Sequence, residues 1–141
     1  LAPEVSGTTL TGEQVTIGSP GKAQVVAFLA HWCPHCQAEV PRIVEHLADN
    51  PLPDDVELYG VATSTAQNRP NYPPSAWLER EEWTFPTLDD ADNTVQMQYG
   101  LSSFPFFAAI NDQGEIVARG SGELTTAQFD QLVEAARAGS L

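Results

Sequence analysis

Strand and helix signals alternate along the 141 residues, and the pattern predicts an α/β fold in which a strand–helix–strand unit is closed by a hairpin and a last helix. Three stretches carry that prediction. Val25-Val26-Ala27-Phe28-Leu29-Ala30 is an unbroken apolar run, too short for an ordinary helix and rich in β-formers, so it reads as a central strand buried on both faces. Directly after it, Val40, Ile43, Val44 and Leu47 recur at i, i+3, i+4 and i+7, the buried stripe of an amphipathic helix that starts near Pro34. Towards the end, Phe106–Ile110 and Glu115–Arg119 flank Asn111-Asp112-Gln113-Gly114, a turn of residues that a hairpin favours.

The remaining elements follow in order. Thr8-Thr9-Leu10 and Val15-Thr16-Ile17, around Thr11-Gly12-Glu13-Gln14, read as a short N-terminal hairpin. Glu57–Ala62 is a second strand, and Ser64 to Pro74, with Pro70, Pro73 and Pro74, is a surface loop. Ala76 to Trp83 reads as a helix and Phe85–Leu88 as a short extended segment. A further helix through Val95 and Met97 to Tyr99 is stopped by Gly100. The last helix has the fullest set of signals: Thr125 and Gln128 form a capping box, Leu124 and Phe129 a hydrophobic staple, and Phe129, Leu132, Val133 and Ala136 a buried stripe. No internal repeat or low-complexity segment interrupts this order.

Composition bounds what the chain does. Its length and 42% apolar content suit one domain, residues 1–141, around one core. Nineteen acidic against six basic residues give a net charge of −13, which repels nucleic acid and anionic membrane surfaces and keeps the surface solvated. No apolar run approaches the ~20 residues of a membrane helix. The chain begins at Leu1, as expected of a mature form from which a signal or anchor has been removed.

The chemistry is expected at the two cysteines, Cys33 and Cys36, two residues apart where the buried strand gives way to a helix. A helix N-terminus stabilises a thiolate through its unfilled N–H groups and its dipole. Cys33, nearer the end, is expected to attack, and Cys36, one turn inside, to resolve the mixed disulfide. Pro34 suits the first turn, where its missing N–H has no partner to lose. A structural disulfide would more usually close a longer loop. A zinc- or copper-binding module would have to draw on His31, His35 or His46, and the chain offers no second cysteine pair or spaced histidine pair. A thiol peroxidase fits less well, because cysteines this close suit disulfide exchange better than a sulfenate with a distant resolving thiol.

The run Trp32-Cys33-Pro34-His35-Cys36-Gln37-Ala38-Glu39-Val40-Pro41 resembles the Trp-Cys-x-x-Cys-x-x-Glu-x-Pro centre of the extracytoplasmic TlpA/ResA-like branch of the thioredoxin superfamily. The likeness extends to the N-terminal hairpin, Phe85-Pro86-Thr87-Leu88-Asp89, Tyr99-Gly100-Leu101 and Pro105. It implies a thioredoxin-like fold, with a central mixed β-sheet flanked by helices and an N-terminal β-hairpin. It also implies that Pro105 is the cis-proline facing the cysteines, with Phe104 on the face where a substrate strand pairs, and the hairpin directly after Pro105 favours it over Pro86. Trp32 reads as a packing residue that also shapes the substrate-facing surface beside Cys33. Pro41 would be the family's helix-kinking proline.

Two departures bear on the chemistry. Thioredoxins have a buried Asp six residues before the first cysteine; this chain has Ala27. The family position makes Glu39 the replacement, a carboxylate that takes the proton of Cys36 when burial raises its pKa. His35 is the second. Pro34-His35 between the cysteines resembles the oxidising DsbA class, while the scaffold resembles reductases of the cytochrome c maturation type; the potentials of DsbA and thioredoxin differ by about 150 mV, so the direction of exchange turns on which likeness prevails. His31 and His46 read as surface or packing histidines, and Trp77 and Trp83 as core aromatics. The expectation is therefore a protein dithiol–disulfide oxidoreductase, with protein thiols as substrates and a redox partner protein. It would use no metal or organic cofactor, bind no nucleic acid and act as a monomer. It would work outside the cytoplasm, in the periplasm or cell envelope or as a secreted protein, membrane-anchored if the full-length protein carries an anchor.

Overall fold

A computed structural model describes residues 1–139, so Ser140 and Leu141, the end of the expected domain, lie outside the described residues. The N-terminal hairpin forms, shifted along the chain. Strand β1 is Val5–Thr8, not Thr8–Leu10, and pairs antiparallel with β2, Gln14–Ile17. The reason lies in Thr9. Its hydroxyl donates to Glu13 (2.8 Å) and its N–H to the Glu13 carbonyl (2.7 Å), closing the turn early, while its backbone bridges to Leu88.

The apolar run becomes β3 (Ala23–Leu29), with all seven residues buried. The chain then turns into α1 (Pro34–Asp49), which Pro41 does not interrupt. After β4 (Val56–Ala62) and the long loop comes α2 (Pro74–Arg80). This helix begins and ends earlier than the Ala76–Trp83 expected. Pro74 occupies its first turn, where a missing N–H is tolerated, and Trp83 leaves the helical path to enter the core, its indole N–H donating to Thr87 Oγ1 at 2.9 Å. Next come β5 (Thr87–Asp89), α3 (Thr94–Tyr99), β6 (Phe106–Ile110), β7 (Ile116–Ser121) and α4 (Thr126–Ala138). Gly100 ends α3 with φ 68°, a conformation that glycine adopts without a Cβ penalty. The capping box of α4 is present in full: Gln128 N–H donates to Thr125 Oγ1 (3.1 Å), and Thr125 N–H to Gln128 Oε1 (2.9 Å).

The sheet order is β5-β4-β3-β6-β7. β3, β4 and β5 are parallel, while β6 is antiparallel to both β3 and β7, so the sheet is mixed. Alternation along β3 divides the core in two. Val25, Ala27 and Leu29 join Cys36, Val40 and Ile43 of α1 and Phe129, Leu132 and Val133 of α4. Val26 and Phe28 join Ile17, Val95 and Tyr99 on the opposite face, where the Phe28 ring packs 5.1 Å from Tyr99 and 5.9 Å from Phe106. With the sheet covered on both sides, the junction of β3 and α1 is held between two packed layers. Among the described residues no helix is long and apolar enough to cross a membrane.

Candidate active site

β3, the central strand, delivers the chain to one end of the sheet, and a tight turn starts α1: Cys33 N–H donates to the Ala30 carbonyl at 3.1 Å. Cys33 is the N-cap residue, extended at φ −81° and ψ 122°, and Pro34 follows at the first helical position. No side chain caps this end, so the free N–H groups of the first turn are left to the cysteine that precedes them.

The two sulfurs are both free thiols in different surroundings. Cys33 lies at the rim, 7% exposed, and its Sγ–H donates to the Phe104 carbonyl at 3.8 Å. Cys36 is fully buried; its Sγ accepts from Ala30 N–H at 3.5 Å. Burial pushes the Cys36 thiol far above the ordinary cysteine value, partly opposed by the Ala30 N–H, with the nearby charges of Cys33 and Glu39 adding to the rise. The Phe104–Pro105 peptide is cis, as the resemblance implied, and the Phe104 carbonyl is the group that faces Cys33. Tyr72–Pro73 is a second cis peptide that the sequence did not signal.

Glu39 is fully buried, and Ala27, which stands in the same core layer as Cys36, contributes no acid. One Glu39 oxygen accepts from Arg42 Nη1 at 2.5 Å and the other from Leu124 N–H at 3.1 Å, an arrangement that suits a carboxylate. Burial nonetheless raises the Glu39 pKa above the ordinary glutamate value, with the Leu124 amide and Arg42 pulling the other way. Arg42 extends the chain of contacts. Its Nη2 donates to Glu123 Oε1 at 3.1 Å, and Glu123 Oε2 lies 2.7 Å from His35 Nδ1. These bonds, His35 first and then Arg42, hold the Glu123 carboxyl below the usual range. His35, the Pro-His histidine, therefore points to solvent at 66% exposure and pairs with a carboxylate.

On the other side of Cys33, Trp32 donates its indole N–H to the Ser64 carbonyl at 2.8 Å and meets Phe104 edge-on at 6.2 Å. Arg69 lies over the Trp32 ring, 4.5 Å from its centroid. His31 is buried and takes the packing role expected of it. Its Nδ1 lies 2.7 Å from the Pro70 carbonyl and its Nε2 accepts from Ala66 N–H at 3.0 Å, so the ring ties the 63–73 loop to the cysteine turn. His46 pairs with Asp130 at 2.7 Å.

The site thus gathers Trp32, Cys33, Pro34, His35, Cys36, Glu39, Phe104 and Pro105 at one end of the sheet. Arg42, Glu123 and Arg69 were not singled out from the sequence, and His31 was read only as a surface or packing histidine. Arg42 was within reach, because a position three residues after Glu39 shares its helix face. Glu123 and Arg69 come from distant segments, and nothing local marks them. Among the described residues no group of three or more His, Cys, Asp or Glu is arranged to hold a metal ion.

The family model described as Redoxin matches residues 1–135, nearly the whole chain. The chain belongs to the redoxin family. This redoxin is 26% identical over 127 residues to the sporulation thiol–disulfide oxidoreductase A of Bacillus subtilis, covering 89% of this chain and 75% of that protein. It is 28% identical over 126 residues to the thiol–disulfide oxidoreductase ResA of Halalkalibacterium halodurans, covering 89% and 69%. Among solved structures, a secreted disulfide oxidoreductase of Mycobacterium tuberculosis superposes with a TM-score of 0.73 at 25% identity, covering 93% of this chain and 95% of that one. A redoxin of this fold with a free cysteine pair at the start of α1 is a thiol–disulfide oxidoreductase.

Proposed function

We propose that this redoxin exchanges disulfides with protein substrates, Cys33 attacking and Cys36 resolving, with Glu39 as the proton carrier for Cys36. The observation that carries the reading is the unlike placement of the two sulfurs, one at the rim facing the Phe104 carbonyl and the other sealed in the core, three residues before a buried acid on the same helix. In the reducing direction the Cys33 thiolate attacks a partner disulfide, forming a mixed disulfide and releasing one partner sulfur as a thiolate that takes up a proton. Cys36 then gives its proton to the Glu39 carboxylate and attacks Cys33 Sγ, displacing the second partner thiolate. Two electrons leave the dithiol, the partner departs with two thiols, and Cys33 and Cys36 end as a disulfide. The reverse sequence oxidises a partner dithiol.

The redox group in this account is the cysteine pair itself, with no metal or organic cofactor. Pro34 and His35 tune it, and Trp32, Phe104 and Pro105 receive the substrate. Substrates and the redox partner are proteins, and the enzyme acts as a monomer. Two observations support work outside the cytoplasm: the M. tuberculosis relative is secreted, and exchange partners with lasting disulfides belong to oxidising compartments. The test is equilibration of the purified protein with glutathione buffers. The expected result is a reversible two-electron transition in which two thiols disappear together; a protein that keeps both thiols across the whole range would overturn the proposal.

A further inference from the structure

The chain's carboxylates are unevenly placed. Although it has nineteen, none occurs between Lys22 and Glu39, between Glu57 and Glu79, or between Asp92 and Asp112. These three stretches supply the cysteine turn, the 63–73 loop and the Phe104–Pro105 segment, which together make the mouth of the site. On the opposite rim the charged groups are already matched, His35 with Glu123 and Glu123 with Arg42. Arg69 is different. It is exposed, makes no ion pair with a described carboxylate and is laid flat over Trp32, the residue next to Cys33. The loop that carries it is not free to drift, because His31 holds the Pro70 carbonyl and the Ala66 N–H, and the His31 carbonyl accepts from Asn71 at 3.3 Å.

A guanidinium with no carboxylate partner among the described residues, stacked on the fixed indole of the residue that precedes the attacking cysteine, presents a positive charge and an apolar edge together. We infer that Arg69 and Trp32 form a recognition spot for partner segments that carry an Asp or Glu close to their reactive cysteine. The long-range field of a −13 chain disfavours such a segment, but beyond about 8 Å that field is screened at physiological salt, whereas Arg69 meets the segment at contact. The spot therefore selects acidic-flanked cysteines against lysine-flanked ones once the partner has docked. The inference rests on the exchange reading above.

The test uses the reduced full chain and three synthetic peptide disulfides, identical except for Asp, Asn or Lys flanking the cysteine. The readout is the ratio of exchange rates, Asp over Lys. An exposed charge contact of this kind is expected to change that ratio about two- to fivefold, so Arg69→Gln should lower it by that factor, Arg69→Lys should keep most of it, and Arg69→Glu should favour the Lys peptide. Raising the salt to 1 M should bring the wild-type ratio towards the Arg69→Gln value. An unchanged ratio in Arg69→Gln, or an equal slowing of all three peptides, would show that Arg69 only steadies Trp32 and would overturn the inference. Wild-type protein that exchanges with none of the peptides would overturn the exchange reading itself.

Discussion

The mouth and the floor of the site are made of unlike materials. At the mouth, Cys33 meets the Phe104 carbonyl, the Phe104 ring meets the Trp32 indole and the Arg69 guanidinium lies over that indole, a chain of contacts drawn from three separate segments. On the floor, Cys36, Glu39 and Arg42 follow one another at three-residue spacing on α1, and the Leu124 amide donates to the acid from outside the helix. The difference assigns the work. On the proposed reading the floor sets where the proton of Cys36 goes and how stability responds to pH, while the mouth sets which partners reach Cys33. Changes on the floor should move pH profiles and stability together, and changes at the mouth should move exchange without unfolding the protein.

The largest effect is expected from Glu39→Gln. Proton transfer by a positioned side chain contributes about 10²–10⁴-fold, so the resolving step, followed by the decay of a preformed mixed disulfide, should slow by about 10²-fold. In the wild type that step quickens as pH rises through the raised pKa of Glu39, and in Glu39→Gln this limb should be missing. Stability should show the same signature. Because the folded pKa lies above the unfolded one, the contribution of Glu39 is complete below the ordinary glutamate value and is lost as pH rises through the raised value. Denaturant titrations of Glu39→Gln over that window should give a flatter curve. Equal pH profiles for the two proteins would reduce Glu39 to a buried structural acid.

Arg42→Ala comes next. It leaves the Glu39 carboxylate with the Leu124 amide alone, and breaking a buried pair is costly, though here the guanidinium is 37% exposed and the cost is discounted to about 1–2 kcal/mol. Urea unfolding should show this loss at neutral pH and a smaller one in acid, where Glu39 is protonated. The rate limb of the resolving step should move to higher pH, since one of the groups that lowers the Glu39 pKa is gone.

His35→Ser should have the smallest effect. A protonated imidazole at position 35 favours the Cys33 thiolate, so its removal should make the reduction potential more negative. The shift should stay within about 30 mV, or about 1.4 kcal/mol for two electrons, because His35 is mostly in solvent and Glu123 already offsets its charge. Glutathione equilibration measures it. A shift approaching the about 150 mV that separates DsbA from thioredoxin would make His35, at the mouth, the main control of direction.

What the sequence made legible follows the same division. The floor is local: Cys36, Glu39 and Arg42 share a helix face, and the Cys-x-x-Cys junction is visible wherever a buried apolar run meets an amphipathic stripe. The α4 capping box and the Gly100 stop were readable for the same reason, since each depends on neighbours within a few residues. The mouth is tertiary. Phe104 and Pro105 were reached only through resemblance, and Arg69, His31 and Glu123 acquire their roles from contacts 35 to 88 residues away in the chain. The shifted edges of β1 and α2 have a comparable cause: Thr9 and Trp83 are claimed by Glu13 and Thr87, and such side-chain contacts override periodicity.

The central claim, that the rim sulfur attacks and the sealed one resolves, is tested most directly by trapping mixed disulfides in the two single-cysteine variants. Each variant is incubated with an oxidised protein substrate, quenched with acid and resolved without reductant. Cys36→Ser should accumulate a covalent complex with the substrate, because Cys33 attacks and nothing releases it, and Cys33→Ser should accumulate none, because Cys36 is fully buried and its thiol is held protonated. Complexes formed by Cys33→Ser and absent from Cys36→Ser would contradict the account.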